Sequence, residues 1–121
     1  MSAQMVTAMP SVDRRAASQA AVIARQQRAA LKDDLRLGRR DHQQVLVEAK
    51  ADPNTPAGKL RVPEFLQTLP FVGEVKQAKI MAELKISPRK RLGGLGQHQA
   101  KELWDFLGFW LGKYPIETGR G

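Results

Sequence analysis

The sequence predicts an all-α fold, a long N-terminal helix followed by a compact helical domain. Two observations carry that prediction. Apolar residues recur at three- and four-residue spacings within each element-length segment, and no segment alternates convincingly with the two-residue period of a strand. The breaks between segments carry helix-ending chemistry at Gly38, in the proline-rich stretch 52–58 and at Ile86-Ser87-Pro88. A chain of 121 residues suits one small domain with a single core.

In chain order, residues 1–10 show no periodicity and end in Pro10, which predicts a disordered tail. Ser11 suits an N-cap with Asp13 in the first turn, opening a basic helix over 11–38 that is rich in Ala, Arg and Gln and stopped by Gly38. Its apolar stripe of Ala20, Ile23, Ala24, Leu31 and Leu35 is thin, so the helix should dock loosely. The helical domain then spans 39–111. Asp41 caps a second helix with Val45, Leu46 and Ala49 inward, Asp52 to Gly58 is a loop, and Pro63 starts a third helix carrying Phe65, Leu66 and Leu69. A fourth helix covers Glu74 to Lys85 with Val75, Ala78, Ile80, Met81 and Leu84 apolar. The last runs from Gln97 to about Leu107, with Trp104 and Trp110 expected in the core and residues 112–121 as a C-terminal tail.

Charge narrows the function. Lys and Arg number 20 against 12 Asp and Glu, a formal net charge of +8. Residues 1–40 hold eight basic and three acidic side chains, and 74–101 hold seven and two, so each block carries +5. The segments 41–73 and 102–121 each carry −1. Solubility needs no such segregation, whereas an anion-binding surface often shows it. No apolar run is long enough to span a bilayer, and Met1 to Pro10 lacks the basic start and apolar block of a secretory signal, so an intracellular protein without membrane association is expected. The chain has no cysteine, hence no disulfide or thiolate metal site.

The informative segment is Leu66 to Leu103. Leu69-Pro70-Phe71-Val72-Gly73 places a glycine-opened helix start at the surface, where free amides and the helix dipole favour an anion. A side chain at Gly73 would hold a phosphate off the backbone. Lys76 and Lys79, three apart, share a helix face and can flank the same phosphates. A second basic turn, Arg89-Lys90-Arg91, precedes another glycine-opened start at Gly94 to Gln97. One such turn is common among ordinary helix caps; two at this spacing suggest a grip on both sides of a groove.

Lys59-Leu-Arg-Val62, Leu69-Pro-Phe-Val-Gly-Glu-Val75, Ile80-Met-Ala-Glu-Leu84 and Arg91-Leu-Gly-Gly-Leu-Gly96 resemble the actinobacterial integration host factor family, over roughly residues 15–108. The resemblance implies a helix–two-turns–helix module and a small nucleoid-associated protein that binds duplex DNA with little sequence specificity. Contact would run mainly through phosphates, with effects on DNA architecture, compaction or topology and a link to integration or transcription. Carried over by position, Pro70, Val72 and Gly73 match the first turn, Lys76 a basic helix position, and Lys90 and Arg91 the paired arginines of the second turn. With Lys79, Arg89 and Gly94 these form the expected DNA-binding set, and Arg25, Arg28, Lys32, Lys59 and Arg61 are further expected contacts. Glu74 stands where the family generally has lysine, Gly93 where it generally has arginine, and Phe71 is also unusual. Each lost phosphate contact flattens the salt dependence by about one unit of slope.

Catalysis is not supported by the residue pattern. His42 and His98 are far apart and read as helix-surface residues, Asp33-Asp34 as solvated charges, and Gly108 to Lys113 departs from a phosphate-binding loop at Tyr114. A glycosylase using the same module needs an N-terminal proline, whereas this chain starts Met1-Ser2. The expectation is therefore a non-enzymatic, cytoplasmic, nucleoid-associated monomer without metal or cofactor. Its partners would be double-stranded DNA and proteins of recombination or transcription. An RNA- or ribosome-associated protein, or an adaptor working through its Trp-rich C-terminus, are the alternatives.

Overall fold

The computed structural model describes residues 2–116, with side chains from Arg14 onward. Six helices follow one another: α1 (Ser2–Arg36), α2 (His42–Ala51), α3 (Pro56–Lys59), α4 (Val62–Leu66), α5 (Glu74–Leu84) and α6 (Gln97–Lys113). A 3-10 turn, Leu92–Gly94, precedes α6. The only extended pairing among the described residues is an isolated antiparallel bridge between Arg61 and Arg91, so the class is all-α.

The long helix ends as its sequence requires. Gly38 takes φ 75°, which lets Arg39 N–H reach Asp34 O at 2.8 Å and Gly38 N–H reach Leu35 O at 3.2 Å. This is the Schellman pattern of a glycine-stopped helix. An Arg39–Asp34 ion pair of 3.3 Å stands where an apolar clasp is usual, and Asp33 pairs with Arg36, so neither acid is merely solvated. At the other end α1 differs from the sequence reading. Its backbone is helical from Ser2, with no tail over 2–10 and no cap at Ser11. Ser2 to Met9 is rich in Ala, Gln and Met, and Pro10 removes a single amide donor from the ladder. Docking is also uneven. Leu31 and Leu35 are buried and Lys32 bonds Glu64 of α4 at 2.9 Å, whereas residues 14–30 are almost wholly exposed. The stripe is thin, but its last two turns are held firmly.

Asp41 caps α2 by accepting from Gln44 N–H at 2.9 Å. The expected loop over 52–58 is shorter than predicted. Thr55 accepts from Gly58 N–H at 3.1 Å and Pro56 sits in the first turn, so four residues close into α3. Both are helix-start signals, and they suffice for one turn where Ala57 and Gly58 are buried. Pro63 likewise opens α4. The core draws Leu35 from α1, Leu46 from α2, Phe65 and Leu66 from α4, and Leu103 and Leu107 from α6. Leu60, Leu92 and Leu95 of the connections complete it. Each such side chain contributes about 1.5–3 kcal/mol by leaving water.

Helix α5 packs on α4 and α6 and buries Ile80 and Met81, whereas Val75 and Ala78, expected inward, are exposed. Its first turn projects beyond the core. Trp104, also expected in the core, is 44% exposed because Leu103 and Leu107 take the inward face of α6. Trp110 packs at the core's edge. The expected C-terminal tail starts too early at 112, since α6 continues to Lys113 and Tyr114 lies on Trp110 at 4.7 Å between ring centroids. Residues 117–121 of that tail lie outside the described residues.

Candidate nucleic-acid interface

Helix starts differ in how their first amides are satisfied, and α4, like α5 and α6, opens without a side-chain cap. Helices α2 and α3 have their first amides satisfied by the side chains of Asp41 and Thr55. Helices α5 and α6 are opened by Gly73 and Gly96, and neither has a side-chain cap on its first-turn amides. In α5 the first helical bond is Gln77 N–H to Gly73 O, so the amides of Glu74, Val75 and Lys76 precede the ladder. In α6 Gln99 turns back to accept Gly96 N–H at 3.1 Å and donates to Lys85 O at 2.9 Å, tying the end of α5 to the start of α6. Helix starts of this kind are ready for an anion.

The structure places the first-turn residues in three different roles. Gly73 is exposed with nothing within 4 Å of where a Cβ would stand. Val72, by contrast, is buried and its amide bonds Leu69 O at 3.3 Å, so it holds the turn from inside and offers no contact. Pro70 is half-buried, and its carbonyl accepts the Trp110 indole N–H at 2.9 Å. Lys76 and Lys79 are both exposed, with Lys76 Nζ 5.4 Å from the Trp110 ring centre.

The second turn is built by a bridge that sequence spacing does not reveal. Val62 N–H donates to Lys90 O at 2.9 Å and Leu92 N–H to Leu60 O at 2.9 Å, which sets Arg61 and Arg91 directly opposite each other. In this antiparallel arrangement the facing pair is the closely spaced one, and like charges there repel. One cleft collects Lys59, Arg89, Lys90 and Arg91 around the backbone of Gly93 and Gly94. Lys59 and Arg61, expected as outlying contacts, therefore belong to the second turn itself. The signal was present in the alternation Lys59-Leu60-Arg61-Val62, where every second residue is buried.

Lys90 Nζ donates to Gly94 O at 3.2 Å and steadies the turn it charges. Lys50 also bonds Leu95 O at the end of the 3-10 turn. Gly94 is exposed, but its amide is already used on Arg91 O, and the glycine that opens α6 is Gly96, which the sequence reading did not single out.

Ion pairs sort the remaining bases. Among the described residues Lys32, Arg36, Arg39, Arg40 and Lys101 each pair with a carboxylate. Lys59, Arg61, Lys76, Lys79, Arg89, Lys90 and Arg91 enter no ion pair among these residues. Lys32 is thus engaged with Glu64, while Arg25 and Arg28 line the shallow groove beside it. His98 is exposed and pairs with Glu102 at 3.1 Å on the surface of α6.

Known proteins share these features. Residues 35–106 match the model of the S13-like H2TH domain, which includes both turns. The integration host factor of Mycolicibacterium smegmatis is 47% identical over 90 residues, 74% of this chain and 84% of the relative. That of Mycobacterium tuberculosis is 45% identical over 95 residues, 78% and 89% of the two chains. A solved structure of sIHF bound to an 8-bp palindromic DNA is similar with a TM-score of 0.67 and 32% identity, covering 74% of this chain and 99% of that one. Identity of this order across most of both chains, with the domain match running through the turns, makes this chain a member of the actinobacterial integration host factor family.

Proposed function

We propose that this is a nucleoid-associated protein that binds duplex DNA through backbone phosphates, without catalysis, and acts on DNA architecture in the cytoplasm. The observation that carries the reading is the Arg61–Arg91 bridge: two exposed arginines set on directly opposed backbone positions, with no carboxylate partner among the described residues. An arrangement that is unfavourable alone becomes favourable when a phosphate lies between or across the pair. Lys59, Arg89 and Lys90 join Arg91 in lining the adjoining cleft and extend the positive surface there. The DNA complex of the similar structure and the family relatives support duplex DNA as the polyanion. No helix among the described residues is long and apolar enough to cross a membrane.

In this reading the basic groups of the cleft contact phosphates, which fix position and carry no sequence information, so little sequence preference is expected. Gly73, Lys76 and Lys79 add a second point of contact at the first turn, and Arg25 and Arg28 extend the basic surface along α1.

Salt titration of binding to random duplex DNA tests the reading. Arg61→Ala/Arg91→Ala is expected to lower the slope of log affinity against log salt by about two units and to weaken binding roughly 10- to 100-fold at ~0.1 M salt. Both side chains are exposed, so the fold should be retained. An unchanged slope would remove the cleft as the contact, and stronger competition by structured RNA than by duplex DNA would favour an RNA partner. Gly73→Ala gives a smaller, cleaner readout. The added Cβ meets open space, so stability should fall by no more than ~1 kcal/mol. Affinity should fall roughly two- to fivefold as the phosphate is held off the helix start. Equal affinity for both proteins would take Gly73 out of the interface.

A further inference from the structure

Beside the first turn lies a row of aromatic rings that phosphate binding does not use. Phe71 takes φ 65°, a left-handed conformation costly for a residue with a bulky side chain, and the residue is 78% exposed. Neither burial nor backbone preference accounts for phenylalanine there. The ring is nevertheless held in place. It meets Tyr114 edge-on at 5.4 Å, Tyr114 lies on Trp110 at 4.7 Å, and Trp110 stacks on Phe106 at 5.7 Å. The indole N–H of Trp110 bonds Pro70 O, which ties the row to the turn that presents Phe71. Cations are interleaved with the rings: Lys76 lies over Trp110 at 5.4 Å, and Lys113 reaches Tyr114 at 5.6 Å and the exposed Phe109 at 6.0 Å.

We propose that this row is a stacking platform for unpaired bases, so that the protein binds DNA best where a duplex adjoins a single-stranded stretch. The proposal rests on the DNA-binding reading above and adds a preferred DNA structure to it. Every base presents a π face to an exposed aromatic ring, and lysines alternating with rings suit a strand whose phosphates alternate with bases. Glu74 points the same way. As an acid in the first turn of α5 it lowers the attraction for a phosphate at Gly73, whereas a neutral base face suffers no such penalty. In paired duplex the π faces are stacked inside the helix and out of reach of Phe71.

The test compares the full-length protein on two DNAs, a blunt random duplex and the same duplex interrupted by a short thymine gap, by fluorescence anisotropy at ~0.1 M salt. Wild type is expected to bind the gapped DNA roughly tenfold more tightly. Phe71→Gly removes the ring and relieves the backbone, so the fold is not at risk. It should abolish the preference and leave blunt-duplex affinity within about twofold. Phe71→Leu keeps apolar bulk without a π face and should also lose the preference. Equal binding of the two DNAs by wild type, or an equal loss of both affinities in Phe71→Gly, would overturn the platform. Arg61→Ala/Arg91→Ala separates the two readings. If it weakens binding to both DNAs while wild type shows no gap preference, the phosphate cleft stands and the platform alone falls.

Discussion

Gly58→Ala is expected to destabilise the protein by about 3 kcal/mol or more, at the upper end of what overpacking costs. A Cβ on Gly58 would stand 2.5 Å from the Cα, carbonyl carbon and carbonyl oxygen of Pro53. These are backbone atoms, and the turn that carries them cannot easily retreat. Asp52 accepts Asn54 N–H at 3.0 Å, while Thr55 donates to Asp52 O at 2.8 Å and accepts from Gly58 itself. Gly93 also presses on this proline, with its would-be Cβ 2.8 Å from Pro53 Cα. Gly93→Arg would add the charge that the family generally carries there, yet it should lose stability by about 1–3 kcal/mol as Pro53 is displaced. Thermal melts monitored by circular dichroism check both, since 3 kcal/mol corresponds to a fall of roughly 12 °C or more in a domain of this size. A Gly58→Ala melt within a degree or two of wild type would show that the turn moves freely.

Stability should also fall as the solution is acidified from about pH 6.5 to pH 4, through His42. Its side chain is buried, 1% exposed, and Nε2 lies 2.8 Å from Thr68 Oγ1. The Thr68 hydroxyl spends its proton on Phe65 O at 2.6 Å, so His42 must donate and its Nε2 carries the hydrogen. Burial lowers the imidazole pKa from 6.5 to about 4, partly opposed by the nearby Asp41 carboxylate. The unfolded chain therefore takes up a proton below pH 6.5 that the folded chain refuses until about pH 4. The stability contribution is complete above pH 6.5, declines through this window at up to ~1.4 kcal/mol per pH unit, and reaches a loss of about 3 kcal/mol. His42→Gln keeps a donor for Thr68 but cannot titrate. Denaturant unfolding of the two proteins between pH 7 and 4 should give a smaller slope for the variant, and parallel curves would exclude His42 as the source.

Elements specified by their own residues were legible in the sequence. Gly38 stops α1, Asp41 caps α2, Pro63 opens α4 and the Glu74 helix ends at Leu84. What escaped depended on partners far along the chain. His42 is buried only because Phe65 and Thr68 fold over it, with the Phe65 ring 5.4 Å away. The bridge joins residues 30 positions apart, so charge counting placed Arg61 outside the second turn to which it belongs. Val75 and Ala78 fit an apolar stripe by period, but both lie on the exposed side of α5, while Ile80 and Met81 face the core. The start of α1 is ambiguous in sequence for another reason, since Pro10 reads as a breaker while the residues before it are helix formers, and the helix runs through it.

The one-ended anchoring of α1 bears on how the protein first meets a polyanion. At ~1.5 Å per residue the helix is a rod about 50 Å long, while a compact chain of this size has a radius of gyration near 14 Å. Arg14, Arg25 and Arg28 fall within a narrow stripe along that rod, because 11 and 14 residues are close to three and four full turns. Held at its C-terminal end by Leu31, Leu35 and the Lys32–Glu64 pair, the rod extends its charge well beyond the folded body. Its capture radius therefore exceeds that of the cleft, and a long anion diffusing in would meet the rod before the cleft. Under the proposed function α1 would govern how often encounters happen, and the basic second turn how long they last.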